Sequence, residues 1–488
     1  MKTFRQIKTT LALVVLLAFG GCAVGPDYQR PALDMPGAYM HDRADVEMDK
    51  SARLAAIPTQ WWELYNDPVL NQLIADALAR NADVKIAAAQ VEEADTVLRQ
   101  VNASFIPEID VAALGSRSRV SNELTIPNAS PLVRDERRVA ASTSFELDFW
   151  GKLRRGSEAA RAQALSSAFG REVVTLSLVS TTVQTYFSLR SLDAQVVATK
   201  SSLKAREESL EVARSRAAAG LASDLDLNQA VGARADLAAQ LKELQRQRTI
   251  VEHQLALITV NAALALPAGD IQALPLPPVP PAGLPSALLD RRPDIRAAEQ
   301  NLVAANAQIG VAKAAMFPTI SLIGFYGGQS GSLTNLLGPG ANIWSAAFGL
   351  NLPIFDAGRG FARIAQMESR QQQALFAYQR VVAIAFREVA DAITNMQMSA
   401  TTEADLQERV AAARNSLELA RDRYEAGYSP YLDVLDAQRT ANDADLAVVR
   451  NRQNRLSASV DLMKALGGGW SADQLPVANA ALRDAGGK

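Results

Sequence analysis

Apolar residues recur at three- and four-residue steps through Val173, Leu176, Val183, Phe187 and Leu189, inside a stretch from Gly151 to Gly220 that holds no proline. Only Gly156 and Gly170 interrupt it; its body is Ala, Leu, Val, Gln, Glu and Arg, mostly residues that lose little on entering a helix. The period predicts one long helix over 151–219 with a face that wants a partner. At about 1.5 Å per residue this is a rod of roughly 100 Å, longer than any ordinary globular core. A second copy, predicted over 358–426, follows Phe355 and ends at Gly427-Tyr428-Ser429-Pro430. Shorter helical patterns run from Trp61-Trp62 to about 80, then over 81–104, 224–262, 294–316 and 431–466.

Just before each rod the period changes from helical to two. Val139, Ala141, Thr143, Phe145, Leu147 and Phe149 alternate with Ala140, Ser142, Ser144, Glu146 and Asp148, which gives a strand one apolar and one polar face. Strands are predicted over 106–120 and 137–150, joined by a polar loop, and over 318–327 and 342–353, joined by a Gly/Ser/Pro loop. Trp344, Phe348, Leu350 and Leu352 line one face of the last. Strands of about ten residues suit a tilted membrane crossing. Four cannot close a barrel, since even small barrels need about eight. The chain therefore must oligomerise, and three copies would supply twelve strands.

The halves are copies of one another. Asp83 to Ile109, ending Phe-Ile-Pro-Glu-Ile, aligns without a gap on Asp294 to Ile320, ending Phe-Pro-Thr-Ile. Leu210-Glu-Val-Ala-Arg-Ser-Arg-Ala-Ala-Ala-Gly220 aligns on Leu417-Glu-Leu-Ala-Arg-Asp-Arg-Tyr-Glu-Ala-Gly427. One unit is used twice. The expected organisation is a signal segment over 1–21, a loose tether over 22–66, a first repeat over 67–266, a linker over 267–293, a second repeat over 294–466 and a tail over 467–488. The linker carries Pro275, Pro277, Pro278, Pro280, Pro281 and Pro285, so it is expected to be extended and non-helical.

Charge adds little: 488 residues carry a formal net charge of −2, which gives no reason to expect a nucleic-acid partner. His41 and His253 stand far apart without metal-ligand spacing, and no nucleophile–histidine pair or phosphate loop appears, so neither enzyme chemistry nor a cofactor is expected. Lys2, Arg5 and Lys8 precede a short apolar core, Leu11 to Phe19, as in an export signal. It ends Phe19-Gly20-Gly21-Cys22, with the chain's only cysteine. That arrangement is similar to a bacterial lipobox, in which the cysteine becomes the acylated first residue; Phe19 departs from the leucine the pattern prefers. An ordinary secretory signal with an incidental cysteine is the competing reading. Nothing beyond residue 22 approaches the length of an apolar membrane helix, so any crossing must be made by strands.

Several motifs together resemble one family: Cys22-Ala-Val-Gly-Pro-Asp-Tyr28, Trp61-Trp62, Leu289-Asp-Arg-Arg-Pro-Asp-Ile295, Leu432-Asp-Val-Leu-Asp-Ala-Gln438 and Ala465-Leu-Gly-Gly-Gly-Trp470. They resemble the outer membrane efflux factors, TolC/OprM-like, and within them the NodT-type lipoproteins. The resemblance implies a mainly α fold with membrane β: a trimeric twelve-stranded barrel continued by a long periplasmic α-helical barrel, with an equatorial belt made by the linker and termini. It also implies a duct serving an inner-membrane RND transporter through a periplasmic adaptor, held to outer membrane lipid by an acyl chain on Cys22.

Asp433 and Asp436 lie on one face of the last long helix, behind Ser429, expected as its N-cap, with Pro430 in first position. Such acids favour a helix N-terminus through its dipole; facing a lumen, three copies would present six carboxylates. By resemblance they occupy the family's aspartate gate, with Tyr428 among its closing contacts; Asp226 is the first repeat's counterpart of Asp433, and Tyr431 stands where a relative has an arginine. Gly220-Leu221-Ala222-Ser223, with Gly427 and Ser429, resembles the periplasmic tip where an adaptor docks; a C-cap glycine and N-cap serine would explain the first turn equally well. Two alternatives stay open: a duct for secreted polypeptide in type I export, and a periplasmic coiled-coil scaffold without a pore.

Overall fold

The computed structural model describes residues 23–33, 57–119, 121, 133–278 and 288–470. The signal segment, Cys22, most of the tether, the tip of the first strand loop, the linker around Pro280 to Pro285 and most of the tail lie outside them.

Helices α1 (Pro68–Arg80) and α2 (Ala82–Ala103) lead into strands β1 (Glu108–Arg119) and β2 (Val133–Leu147), then the long helix α3 (Lys152–Ala218) and α4 (Asp224–Ile258). After a four-residue turn, α5 (Leu288–Arg291), the order repeats: α6 (Pro293–Ala314), β3 (Thr319–Ser330), β4 (Asn342–Asn351), α7 (Arg359–Glu425) and α8 (Tyr431–Ala465). The repeat is carried into element length. α3 and α7 have 67 residues each, α4 and α8 have 35, and α2 and α6 have 22.

The chain divides into two units: one draws on 23–32, 90–167 and 297–378, the other on 57–89, 168–296 and 379–470. In the first, the strands form one antiparallel sheet in the order β1-β2-β3-β4. Its register sets the faces. Ile109 pairs with Thr143, Val111 with Ala141, Phe145 with Leu322, Tyr326 with Trp344 and Leu322 with Phe348, so these residues of the four strands share one mainly apolar side. Ser142, Ser144, Glu146, Ser321 and Ser345 fall on the other. Strand ends differ from the expected ones for local reasons. β2 begins at Val133, not 137, because β1 still pairs with it up to Arg119↔Val133. It stops at Leu147, not 150: the Asp148 carboxylate turns to accept the N–H groups of Leu153 (3.0 Å) and Arg154 (2.9 Å), and Trp150 leaves the strand to stack on Phe317. β3 continues past 327 because Gly328 pairs with Val139; β4 ends before Pro353, which has no N–H to donate.

The N-terminal segment is pinned rather than loose between Ala23 and Ala32. Val24 N–H donates to Trp150 O (3.0 Å), Arg155 reaches Asp27 (2.6 Å) and Arg30 grips Glu299 with two bonds of 2.6 and 2.7 Å. Ala23 lies against Gly151, where a Cβ would come within 2.8 Å of it.

The second unit holds the main core. Trp61, Tyr65, Leu70 and Ile74 pack on Val183, Phe187 and Leu189 of α3, Leu255 of α4 and Leu456 and Val460 of α8. Beside it, buried Asp193 accepts from Arg190 (2.9 Å), Arg248 (3.0 Å) and Gly269 N–H (3.0 Å), while the same arginines hold Pro267 O and Leu266 O. The start of the linker is thus fixed by buried charge. It is not extended throughout: Ile271–Ala273 forms a 3-10 turn capped by Asp270, and α5 is helical. Both pieces fall where prolines are missing.

Candidate functional site

The two turns that end the long helices are built alike. Gly220 (φ +70) and Gly427 (φ +79) are left-handed, and Leu221 N–H reaches back to Arg216 O and Tyr428 N–H to Arg423 O, both at 2.8 Å. This is the helix stop that glycine permits at no steric cost. A Cβ at either glycine would meet nothing within 4 Å, so the space around both turns is open. Leu221 and Tyr428 are each 80% exposed.

The following helices start differently. Ser223 Oγ accepts Asp226 N–H (3.1 Å) while the Asp226 carboxylate accepts Ser223 N–H (3.3 Å), a reciprocal capping box. The expected cap at Ser429 is not made. Pro430 holds the N-cap position of α8 without a side-chain bond, and Ser429 Oγ is buried with no partner. One residue decides this: the helix begins at Tyr431, so Ser429 stands a place too early to reach the first-turn amides.

Tyr431 goes inward. It packs with Val434 on Leu210, Ala213 and Ala230, and its ring lies 5.1 Å from that of Tyr424. Burial raises its pKa, with Tyr424 adding to the shift. Arg216 stacks over Tyr424 at 4.8 Å and donates to the carbonyls of Tyr424 and Glu425, each at 3.4 Å, so the end of α3 is tied to the end of α7. Asp433 and Asp436 sit on the exposed side of α8, and Asp436 pairs with Arg439 at 2.7 Å. Tyr428 is exposed on the turn between α7 and α8, while Asp226 is committed to its cap. Sequence reading missed Arg216 and Arg439. The three-residue step from Asp436 to Arg439 was a visible signal; the reach of Arg216 across to α7 was not.

The sheet is the other feature that a water-soluble chain would not show. On its apolar side Val111, Trp344 and Phe348 are 73%, 74% and 77% exposed, and β1 and β4 each have one unpaired edge. Such a continuous apolar face and such edges demand partners. Among the described residues no helix is long and apolar enough to cross a membrane, and no group of three or more His, Cys, Asp or Glu residues could hold a metal ion.

Against known proteins, the model of the outer membrane efflux protein family matches residues 73–260 and 284–468. The solvent efflux pump outer membrane protein SrpC of Pseudomonas putida is 33% identical over 478 residues, 95% of this chain and 99% of its own. Among solved structures, the outer-membrane channel OprN shares 28% identity and a TM-score of 0.84, covering 92% of this chain and all (100%) of OprN. The Neisseria gonorrhoeae MtrE channel, solved in an open state, shares 30% identity and a TM-score of 0.79 over 93% of this chain and 100% of its own.

Proposed function

The chain belongs to the outer membrane efflux protein family and is the outer membrane channel of an efflux system, a conduit and not an enzyme; from that premise we propose how it is assembled, anchored and gated. Adaptor and inner-membrane transporter partners follow from membership of such tripartite systems. The carrying observation is the sheet: four strands, one mainly apolar face, one face that carries most of the polar side chains, and two bare edges. Three copies joined β4 to β1 close these edges into twelve strands, apolar outside and polar around a lumen. A homotrimer satisfies every unpaired ladder without exposing the polar face to lipid. Cross-linking of the purified protein should cap at three copies, and the trimer should conduct in a planar bilayer; dimers without conductance would end this reading.

Cys22 is proposed as the acylated residue. Ala23, its neighbour, lies at Gly151 just past the end of β2, a place from which an acyl chain can enter the adjoining leaflet. Asp433 and Asp436 from three copies are proposed to form a ring of carboxylates at the narrow periplasmic gate of the duct, with Tyr428 and Asp226 beside it. The open state named for MtrE supports a duct with more than one state. The open ground around Gly220, Leu221, Ala222 and Ser223, and around Gly427 and Ser429, is proposed as the adaptor's docking surface, its transporter being of the RND type. The cargo is proposed to be small toxic organic compounds, as the name of SrpC suggests.

A further inference from the structure

Beyond the apolar band, the same side of the sheet carries a basic shelf. β1 presents Ile109, Val111 and Ala113 on this side and then, at the same alternation, Arg117 and Arg119. β2 presents Leu147, Phe145, Thr143, Ala141 and Val139 and then Arg137. The pairs Gly115↔Arg137, Arg117↔Asp135 and Arg119↔Val133 put the three arginines in adjacent rows. Asp135 is the one carboxylate among them in the described strands, and it stands 3.7 Å from Arg117 with the arginine 73% exposed. Arg137 donates only to the carbonyls of Ser116 and Glu136, which leaves its charge uncompensated there.

Height places this shelf. From Leu147 to Arg137 the strand rises roughly 34 Å at about 3.4 Å per residue. A tilt of about 40° reduces that to roughly 26 Å, close to the ~25 Å apolar band of outer membrane barrels. The exposed pair Tyr326 and Trp344 lies two rows below Arg137, where an aromatic belt belongs. All four strands meet helices at their other ends, and those helices are periplasmic, so the shelf faces the outer leaflet.

We propose that Arg117, Arg119 and Arg137 form a docking surface for the phosphate groups of outer-leaflet glycolipid, with the acyl chains lying on the apolar band below. Guanidinium forks match phosphate oxygens two at a time, and a lipid seated this way satisfies charge and apolar surface together. On the opposite side Arg138 lies 4.4 Å over the Phe325 ring and Arg134 shares its face, so these two arginines are the internal comparison. The inference rests on the sheet crossing the membrane.

The test uses the full acylated protein in mild detergent with bisphosphorylated lipid A, the same lipid after enzymatic dephosphorylation, and inorganic phosphate, read by native mass spectrometry. Wild type should retain the bisphosphorylated lipid at least ten-fold better than the dephosphorylated one, a comparison that needs no variant. R117Q/R119Q/R137Q should lose that preference, and R134Q/R138Q should keep it. Equal retention of the two lipids by wild type, an unchanged preference in the triple variant, or displacement by millimolar inorganic phosphate alone would each overturn the proposal. Conductance of the same preparation in a planar bilayer reports on the channel separately, so a conducting trimer without lipid preference refutes the shelf and leaves the duct standing.

Discussion

Ser223 and Ser429 occupy like places after like turns, yet the structure gives them opposite energetics. Ser223 Oγ completes a capping box, so Ser223→Ala should cost about 1 kcal/mol and speed hydrogen exchange in the first turn of α4. Ser429 Oγ is buried and unpartnered, so Ser429→Ala should be neutral or stabilising by the same readout for α8. Asp461 offers a test by pH. Burial pushes its carboxyl above the usual carboxylate range, while the bond from Gln184 Nε2 at 2.6 Å works against the shift. A carboxyl whose folded pKa is raised contributes most below the unfolded value, near 3.9, and loses that contribution as pH rises through the folded one. At pH 7 the charged form is therefore a cost. Asp461→Asn, which can still accept from Gln184, should unfold at a higher temperature than wild type at pH 7, the gap closing below about pH 4 in a thermal melt.

At the scale of elements, the paired turns and the start of α8 are where proposed roles and plain helix mechanics must be separated. Gly220 needs a left-handed backbone but has open space around it. Gly220→Ala should cost only about 1 kcal/mol of local strain. Gly220→Trp should leave assembled protein in the membrane while abolishing drug resistance in a susceptibility assay; full resistance would return the turn to a helix stop. Asp433→Ala with Asp436→Ala frees Arg439 and removes the proposed ring. Single-channel conductance should rise several-fold and block by multivalent cations should weaken, whereas unchanged values would leave these acids as dipole-favoured surface residues.

For the whole molecule the decisive property is which side of the sheet meets lipid. Phe348 belongs to the apolar face and Ser345 to the other, three residues away on β4. Phe348→Arg should cost about 2–4 kcal/mol of membrane insertion and lower the amount of heat-resistant oligomer in outer membrane fractions. Ser345→Arg should insert normally. If both variants insert alike, the apolar face is not the lipid face.

Much of this was legible in the chain as written. Period and composition settled the helices to within a few residues, because a 67-residue run with no proline and many good helix formers favours one continuous helix. The gapless likeness of residues 83–109 and 294–320 carried the tandem architecture, since each copy repeats its own local preferences. Alternation also gave each strand two faces. It could not align those faces across strands, because register depends on hydrogen-bonded partners that are distant in sequence. For the same reason only the folded chain decided that Ser429 stands one residue outside its helix, that Tyr431 turns inward, and that Arg216 closes onto α7. Local propensity fixes what a segment can become; which side chains then meet is decided by segments far along the chain.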